Sequence, residues 1–264
     1  AETWPDRFDT FATIDPLDDD ALEDFAHQVE WFDPNGLKLY PSSWGVDSHE
    51  GWRMDDPSVA YPVFEKALEL GIDHVAVHKA IPFGPVPRGP YHPGDVDEAA
   101  DNFPEIDFSI IHGGFAFTEE TAWQLARFPN VHVSLEALGI LLVGNRDVFD
   151  SILAELVKIA GPDAYDQIYW ASAAVAFHPQ IQLEALRDFE FSDATRKKGY
   201  PGTIPQITDE DKAKILGTNY AALRGLDVES AREKIADDEF SRRRSEEGTA
   251  DPWTTANVPA DAIV

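Results

Sequence analysis

FSIIHGG, residues 108–114, is a short apolar run that ends on an ionisable ring followed by two glycines. A run too short for a helix and closed by turn-forming residues reads as a buried strand. Five further runs share its character: DTFATID (9–15), GLKLYP (36–41), HVAVHKA (74–80), VHVSLEA (131–137) and QIYWASA (167–173). Between them lie stretches with helical spacing, among them Leu22, Phe25, Ala26 and Val29, then Val63, Ala67 and Leu70, then Phe149, Ile152, Leu153 and Leu156. Strands apolar on both faces and separated by amphipathic helices indicate a parallel sheet covered by helices. No GxGxxG phrase follows an early strand, so the dinucleotide form of the open doubly wound sheet lacks its fingerprint. The expected fold is therefore an α/β (β/α)8 TIM barrel.

Six strands fall short of the eight that close such a barrel, and the shortfall lies at the front, where the chain enters DTFATID almost at once. The first strand or strands are expected to be missing from this chain and supplied from outside it. Residues 1–240 are read as the incomplete barrel and 241–264, which show little periodicity, as a C-terminal arm. Thr208 to Asp211 (TDED) is a helix-capping phrase ahead of a helix through AKILGTNYAALRGL.

The 21 basic and 49 acidic residues give 21 − 49 = −28, with the acids spread through DPLDDD, GDVDEAADN, TDEDK and ADDEF. Such a field repels phosphate backbones and anionic lipid, so neither nucleic acid nor a membrane surface is an expected partner. A dispersed acidic surface suits molar salt, where a Debye length of about 3 Å screens self-repulsion; a halophilic, cytoplasmic protein is expected. No apolar run is long enough to span a bilayer. The chain has no cysteine, which excludes disulfides and thiolate chemistry.

In this type of barrel the chemistry gathers at the C-terminal ends of the strands. Lys38 and Tyr40 lie near the end of GLKLY, His78 ends HVAVH, His112 ends FSIIH and Glu136 ends VHVSLE. Each has a plainer reading: a structural histidine, a capping glutamate, a lysine reaching to solvent. Two histidines on matching ends of adjacent strands argue for function, as metal ligands or as acid and base near neutral pH. The glycines after His112 would leave room for substrate. Trp44, with His49 and Trp52 in the loop PSSWGVDSHEGWRMDD, is a candidate pocket wall, and Arg88 a candidate partner for a substrate carboxylate. Lys38 and Tyr40 are assigned to the same substrate-binding group.

The ordered phrases GLKLYP, ELGIDHVAVHKA, DVDEAADNFPEIDFSIIHGG, FPNVHVSLE and ITDEDKAKILGTNYAALRGLD, over Pro5 to Asp227, resemble the amidohydrolase 2 family, which includes the aminocarboxymuconate-semialdehyde decarboxylase-like enzymes. The resemblance implies a divalent metal, zinc being expected, bound by His-x-His on the first strand, a histidine on a middle strand and an aspartate on the last. His78 looks like the middle-strand ligand. His112 is similar to the catalytic histidine, and Glu136 joins it as the second expected catalytic group. The chain departs from the pattern twice: His-x-His is absent, and the Gly-Ser-Asp phrase is replaced by Ala171, Ser172 and Ala173. His178, in VAFHPQ, could stand in as a ligand, as could Glu136. The resemblance thus implies a hydrolase or decarboxylase for a small carboxylic or aromatic substrate, with part of the metal site from a second small subunit or a homo-oligomer. The alternatives are an enzyme without metal, or a non-catalytic barrel that binds a partner or small ligand.

Overall fold

The computed structural model of the protein describes residues 7–42, 51–80, 82, 86–174, 178–199 and 202–249. Among them, six strands form one sheet: β1 (Phe11–Thr13), β2 (Gly36–Leu39), β3 (His74–Val77), β4 (Asp107–Ile110), β5 (Val131–Ser134) and β6 (Ile168–Tyr169). Every neighbouring pair is parallel, and the order in space is the order in sequence. A doubly wound sheet would reverse at a switch point; this one does not, so it is a partial (β/α)8 barrel, as the sequence led us to expect.

Helices α1 (Ala21–Phe32), α2 (Ala60–Glu69), α3 (Val96–Asn102), α4 (Thr118–Arg127), α5 (Leu138–Gly144) and α6 (Arg146–Ala160) fill the connections between strands. After β6 come α7 (Pro179–Arg187), α8 (Asp193–Arg196), α9 (Asp209–Ala213), α10 (Asn219–Leu223), α11 (Val228–Ile235) and α12 (Glu239–Glu247). The strands are not apolar on both faces, and this corrects the sequence reading. Leu37, Leu39, Val75, Val77, Phe108, Ile110, Val131 and Val133 join the buried core with the helices, as when Phe64 of α2 meets Phe108 at 5.1 Å. The intervening residues carry polar groups. His74 Nε2 and Ser109 Oγ are 2.8 Å apart, and the Tyr169 hydroxyl feels the hydroxyls of Ser109 and Ser134. In runs of four residues one alanine, Ala76, is enough to hide that alternation.

His74 is buried against Phe11 and Tyr220. Burial, with Arg224 and His132 adding to it and Asp107 opposing, pushes it from its ordinary 6.5 to about 3. Between those values the unfolded chain binds a proton that the folded one refuses, so stability rises with pH there and is lost as pH falls. His74→Phe should remove a slope of about 1.4 kcal/mol per pH unit from urea unfolding in that window; an unchanged slope would locate the acid sensitivity elsewhere.

Each edge of the sheet has a local hydrogen-bonded contact. The Gln28 carboxamide of α1 bonds both the N–H and the C=O of Thr13, at 3.0 and 2.9 Å. At the other edge Trp170 N–H donates to the Ile215 carbonyl at 2.8 Å, within the π-helical turn Lys214–Thr218 that joins α9 to α10. Thr208 and Asp211 form the expected reciprocal cap of α9. The boundary read between barrel and arm falls inside α12, a helix without buried residues and hence without an apolar stripe to read. Asp238 caps it and pairs with Arg7. Residues 250–264 of the arm lie outside the described residues.

Candidate active site at the strand ends

Four consecutive strands each deliver a polar residue to one rim. Lys38 is the third residue of β2, and Tyr40, His78, His112 and Glu136 follow β2, β3, β4 and β5. The backbone bends sharply there. Of the five non-glycine residues with positive φ among the described residues, His112, Ala116, Ala137 and Ala173 all lie beyond β4, β5 or β6, the kind of strain that gathers at functional sites. His112 itself is left-handed, with φ 64° and ψ 31°, and Gly113 and Gly114 follow at φ 62° and 63°. The glycines serve this turn and a close approach rather than substrate access: an added Cβ would collide with Leu138 at Gly113 and with Thr121 at Gly114.

The turn aims the His112 ring. Nδ1 lies 3.1 Å from the carbonyl oxygen of Glu136, which can only accept, so Nδ1 carries the N–H and a neutral ring keeps its lone pair on Nε2. His78 Nδ1, 3.1 Å from that Nε2, is then the donor between them. Burial holds His112 below its ordinary value, the Glu136 carboxylate opposes, and Lys38 adds to the lowering. His78 is buried in a ring of aromatics: Tyr40 stacks on it at 5.5 Å, Tyr91 meets it edge-on at 5.7 Å and His112 at 4.6 Å.

Lys38 reaches over Tyr40, with Nζ 4.3 Å from the ring centroid. Its Nζ is covered and has no hydrogen-bond partner among the described residues. Burial pushes it down to about 8, against the pull of Glu136. Lys38, Tyr40, His78, His112 and Glu136 are thus brought together, while other candidates are not. The exposed Arg88 guanidinium lies 5.9 Å from the Phe117 ring. His178 is the N-cap of α7, its Nδ1 accepting the Gln180 N–H at 3.2 Å, and it lines a cavity of about 880 Å³ between α7 and α12. Trp44 and His49 lie outside the described residues; Trp52 is buried, bonding the Tyr40 carbonyl at 2.8 Å.

Sequence reading missed the supports beneath the rim. Lys79 and Asp95 form a fully buried ion pair at 2.6 Å, and Lys79 also donates to the Pro90 carbonyl. Asp95 accepts the Met54 N–H at 2.9 Å. Tyr91, against His78, bonds Ser42 at 2.6 Å. Only the adjacency of Lys79 to His78 hinted at this.

Two imidazole nitrogens 3.1 Å apart are close to the roughly 3.3 Å that separates neighbouring nitrogens on tetrahedral zinc. A third donor is lacking. Among the described residues no three His, Asp or Glu side chains gather to hold an ion, the Ala173 side chain offers no ligating atom, and the Lys38 charge acts on His112. The described residues do not fit a complete divalent-metal site.

The sequence profile of a family described as Amidohydrolase matches residues 1–226. No match is found among curated proteins. Solved structures share the fold. A 2,6-dihydroxybenzoate decarboxylase from Rhizobium is 16% identical, with a TM-score of 0.54 over 85% of this chain and 73% of that one. An uncharacterised TIM-barrel protein from Bordetella bronchiseptica is 18% identical, with a TM-score of 0.61 over 85% and 69%. A dihydroxybenzoic acid decarboxylase from Polaromonas sp. JS666, with bound manganese and the inhibitor 2-nitroresorcinol, is 14% identical, with a TM-score of 0.55 over 85% and 71%. At these identities the likeness is one of fold, and it agrees with the expected amidohydrolase-type barrel.

Proposed function

The chain belongs to the amidohydrolase family, and from that premise we propose an enzyme that hydrolyses or decarboxylates a small carboxylic or aromatic acid at the rim of β2 to β5. The observation that carries this reading is the contact between His112 Nε2 and His78 Nδ1 at 3.1 Å, made by residues on adjacent strand ends beside Lys38 and Glu136. Decarboxylation must return a proton to the carbon that loses carbon dioxide, and hydrolysis must take one from water. Once substrate displaces His78, a neutral His112 fixed through Nδ1 can take a proton from water at Nε2, and after protonation there it can return one to carbon. The face of Tyr40, 43% exposed, offers an aromatic wall, and the Lys38 head group a counter-charge for a carboxylate. Arg88 and Trp44 remain proposals for the outer part of the pocket.

A second reading keeps a divalent ion, zinc or manganese, with His78 as one ligand and the missing donors from a second small subunit or from another copy of the chain. The convergence of the two imidazole nitrogens favours it, as does the manganese of the Polaromonas enzyme; His178 contributes only if its cap on α7 opens. Among the described residues no helix is long and apolar enough to cross a membrane, and the charge of −28 supports a protein of a salt-rich cytoplasm that avoids nucleic acid.

Metal analysis and intact mass spectrometry of the native assembly, with a panel of aromatic and unsaturated acids assayed for carbon dioxide release and hydrolysis, test both readings. We expect turnover of at least one acid. Metal together with a second chain selects the second reading, and turnover by a metal-free assembly selects the first. Failure across the panel would leave a non-catalytic barrel that binds a partner or small ligand.

A further inference from the structure

Among the described residues three lysine head groups are taken out of water, and their surroundings differ. Lys79 Nζ donates to the Pro90 carbonyl and to Asp95 at 2.5 and 2.6 Å. Lys212 Nζ donates to the Arg187 carbonyl at 2.8 Å. Lys38 Nζ has no hydrogen-bond acceptor among the described residues, although it is fully covered. A covered ammonium without an acceptor is costly, and a neutral amine much less so. The Tyr40 face and the Glu136 carboxylate offset part of that cost without bonding to the nitrogen. With its balance point at about 8, roughly a tenth of Lys38 is uncharged at neutral pH, far more than for a lysine in water. His112 shares this rim and feels the Lys38 charge.

We propose that Lys38 is a nucleophile that forms an imine with a carbonyl substrate. Desolvation beside another basic group is how lysines are made reactive towards carbonyls. The proposal rests on the reading of this rim as the reaction site, and it narrows the substrate to a 3-oxo acid. Only a carbonyl placed one carbon away from the carbon bearing the carboxylate lets the imine receive the electrons of decarboxylation.

The steps balance without an added oxidant or reductant. The Lys38 lone pair forms the N–C bond. The carbonyl oxygen takes one proton from the attacking nitrogen and one from solvent and leaves as water, giving an iminium. The bond to the carboxylate then breaks, carbon dioxide departs, and the electron pair moves into the iminium to give an enamine. The enamine carbon takes a proton that solvent supplies by way of His112 Nε2, and water hydrolyses the resulting iminium to ketone and free Lys38, returning one proton to solvent.

The test is borohydride trapping of the full chain with acetoacetate, followed by intact mass and peptide mapping. We expect a reduced adduct on the peptide holding Lys38, little on exposed lysines, and none on Lys38→Met, whose apolar stem preserves packing and whose fold is checked by circular dichroism. No adduct at Lys38, or labelling spread evenly over surface lysines, would overturn the proposal. So would a Lys38→Arg variant that keeps turnover, because a guanidinium can pair with a carboxylate but cannot form the imine. Turnover of panel acids that survives in Lys38→Met sinks the imine and leaves the rim reading intact. An adduct at Lys38 in a protein that turns over no acid does the reverse.

Discussion

Asp95→Ala is expected to destabilise the fold by about 3–5 kcal/mol, the cost of leaving a buried charge without its partner. Lys79 and Asp95 are each 0% exposed, and their head groups meet at 2.6 Å. The carboxylate also receives the Met54 N–H at 2.9 Å, so one side chain ties the segment after β2 to the segment after β3. Removing it strands an ammonium that burial already pushes down and that Asp95 holds up. Urea unfolding followed by circular dichroism measures the loss. The double variant Asp95→Leu with Lys79→Met should recover much of it, because an apolar pair carries no desolvation cost. A single-variant loss below about 1 kcal/mol would mean that the pair behaves like a solvent-screened one. Since Lys79 adjoins His78, the single variant should also loosen the rim.

His112→Asn should lower kcat/KM by about 10²- to 10⁴-fold, the range for loss of a positioned proton-transfer group. Asparagine is the informative replacement because it tolerates left-handed φ better than other L-residues. The turn at φ 64° should therefore survive, and a drop in rate can be assigned to the ring. The measurement is turnover of the best acid from the panel, with the melting temperature as a control for folding. An unchanged rate in a folded variant would remove His112 from the chemistry and with it the proposed mechanism.

The histidines show how far sequence reading reaches. His78 and His112 were legible because each closes a short strand run and strand ends share a rim. His178 looked like a stand-in ligand, yet the phrase His-Pro carried a local signal: proline favours the first helical position, and the histidine before it caps. His92, also followed by proline, does the same, its Nδ1 accepting the Gly94 N–H at 3.0 Å. The glycines after His112 read as space for substrate, but their roles are the left-handed turn and the contacts with Leu138 and Thr121.

Lys79 and Asp95 were illegible for another reason. A lysine at the end of an apolar run and an aspartate in the acidic stretch GDVDEAAD both read as solvated charge. By itself the sequence determined the six strands, their parallel order, the cap at Thr208 and the rim on which the polar residues sit, because apolar patterning and capping act over a few neighbouring residues. Only the tertiary structure decided which charges are paired, which amine is left without an acceptor and which imidazoles touch. Burial and partnership depend on residues brought together across the fold, and in a low-dielectric interior those distances set the chemistry.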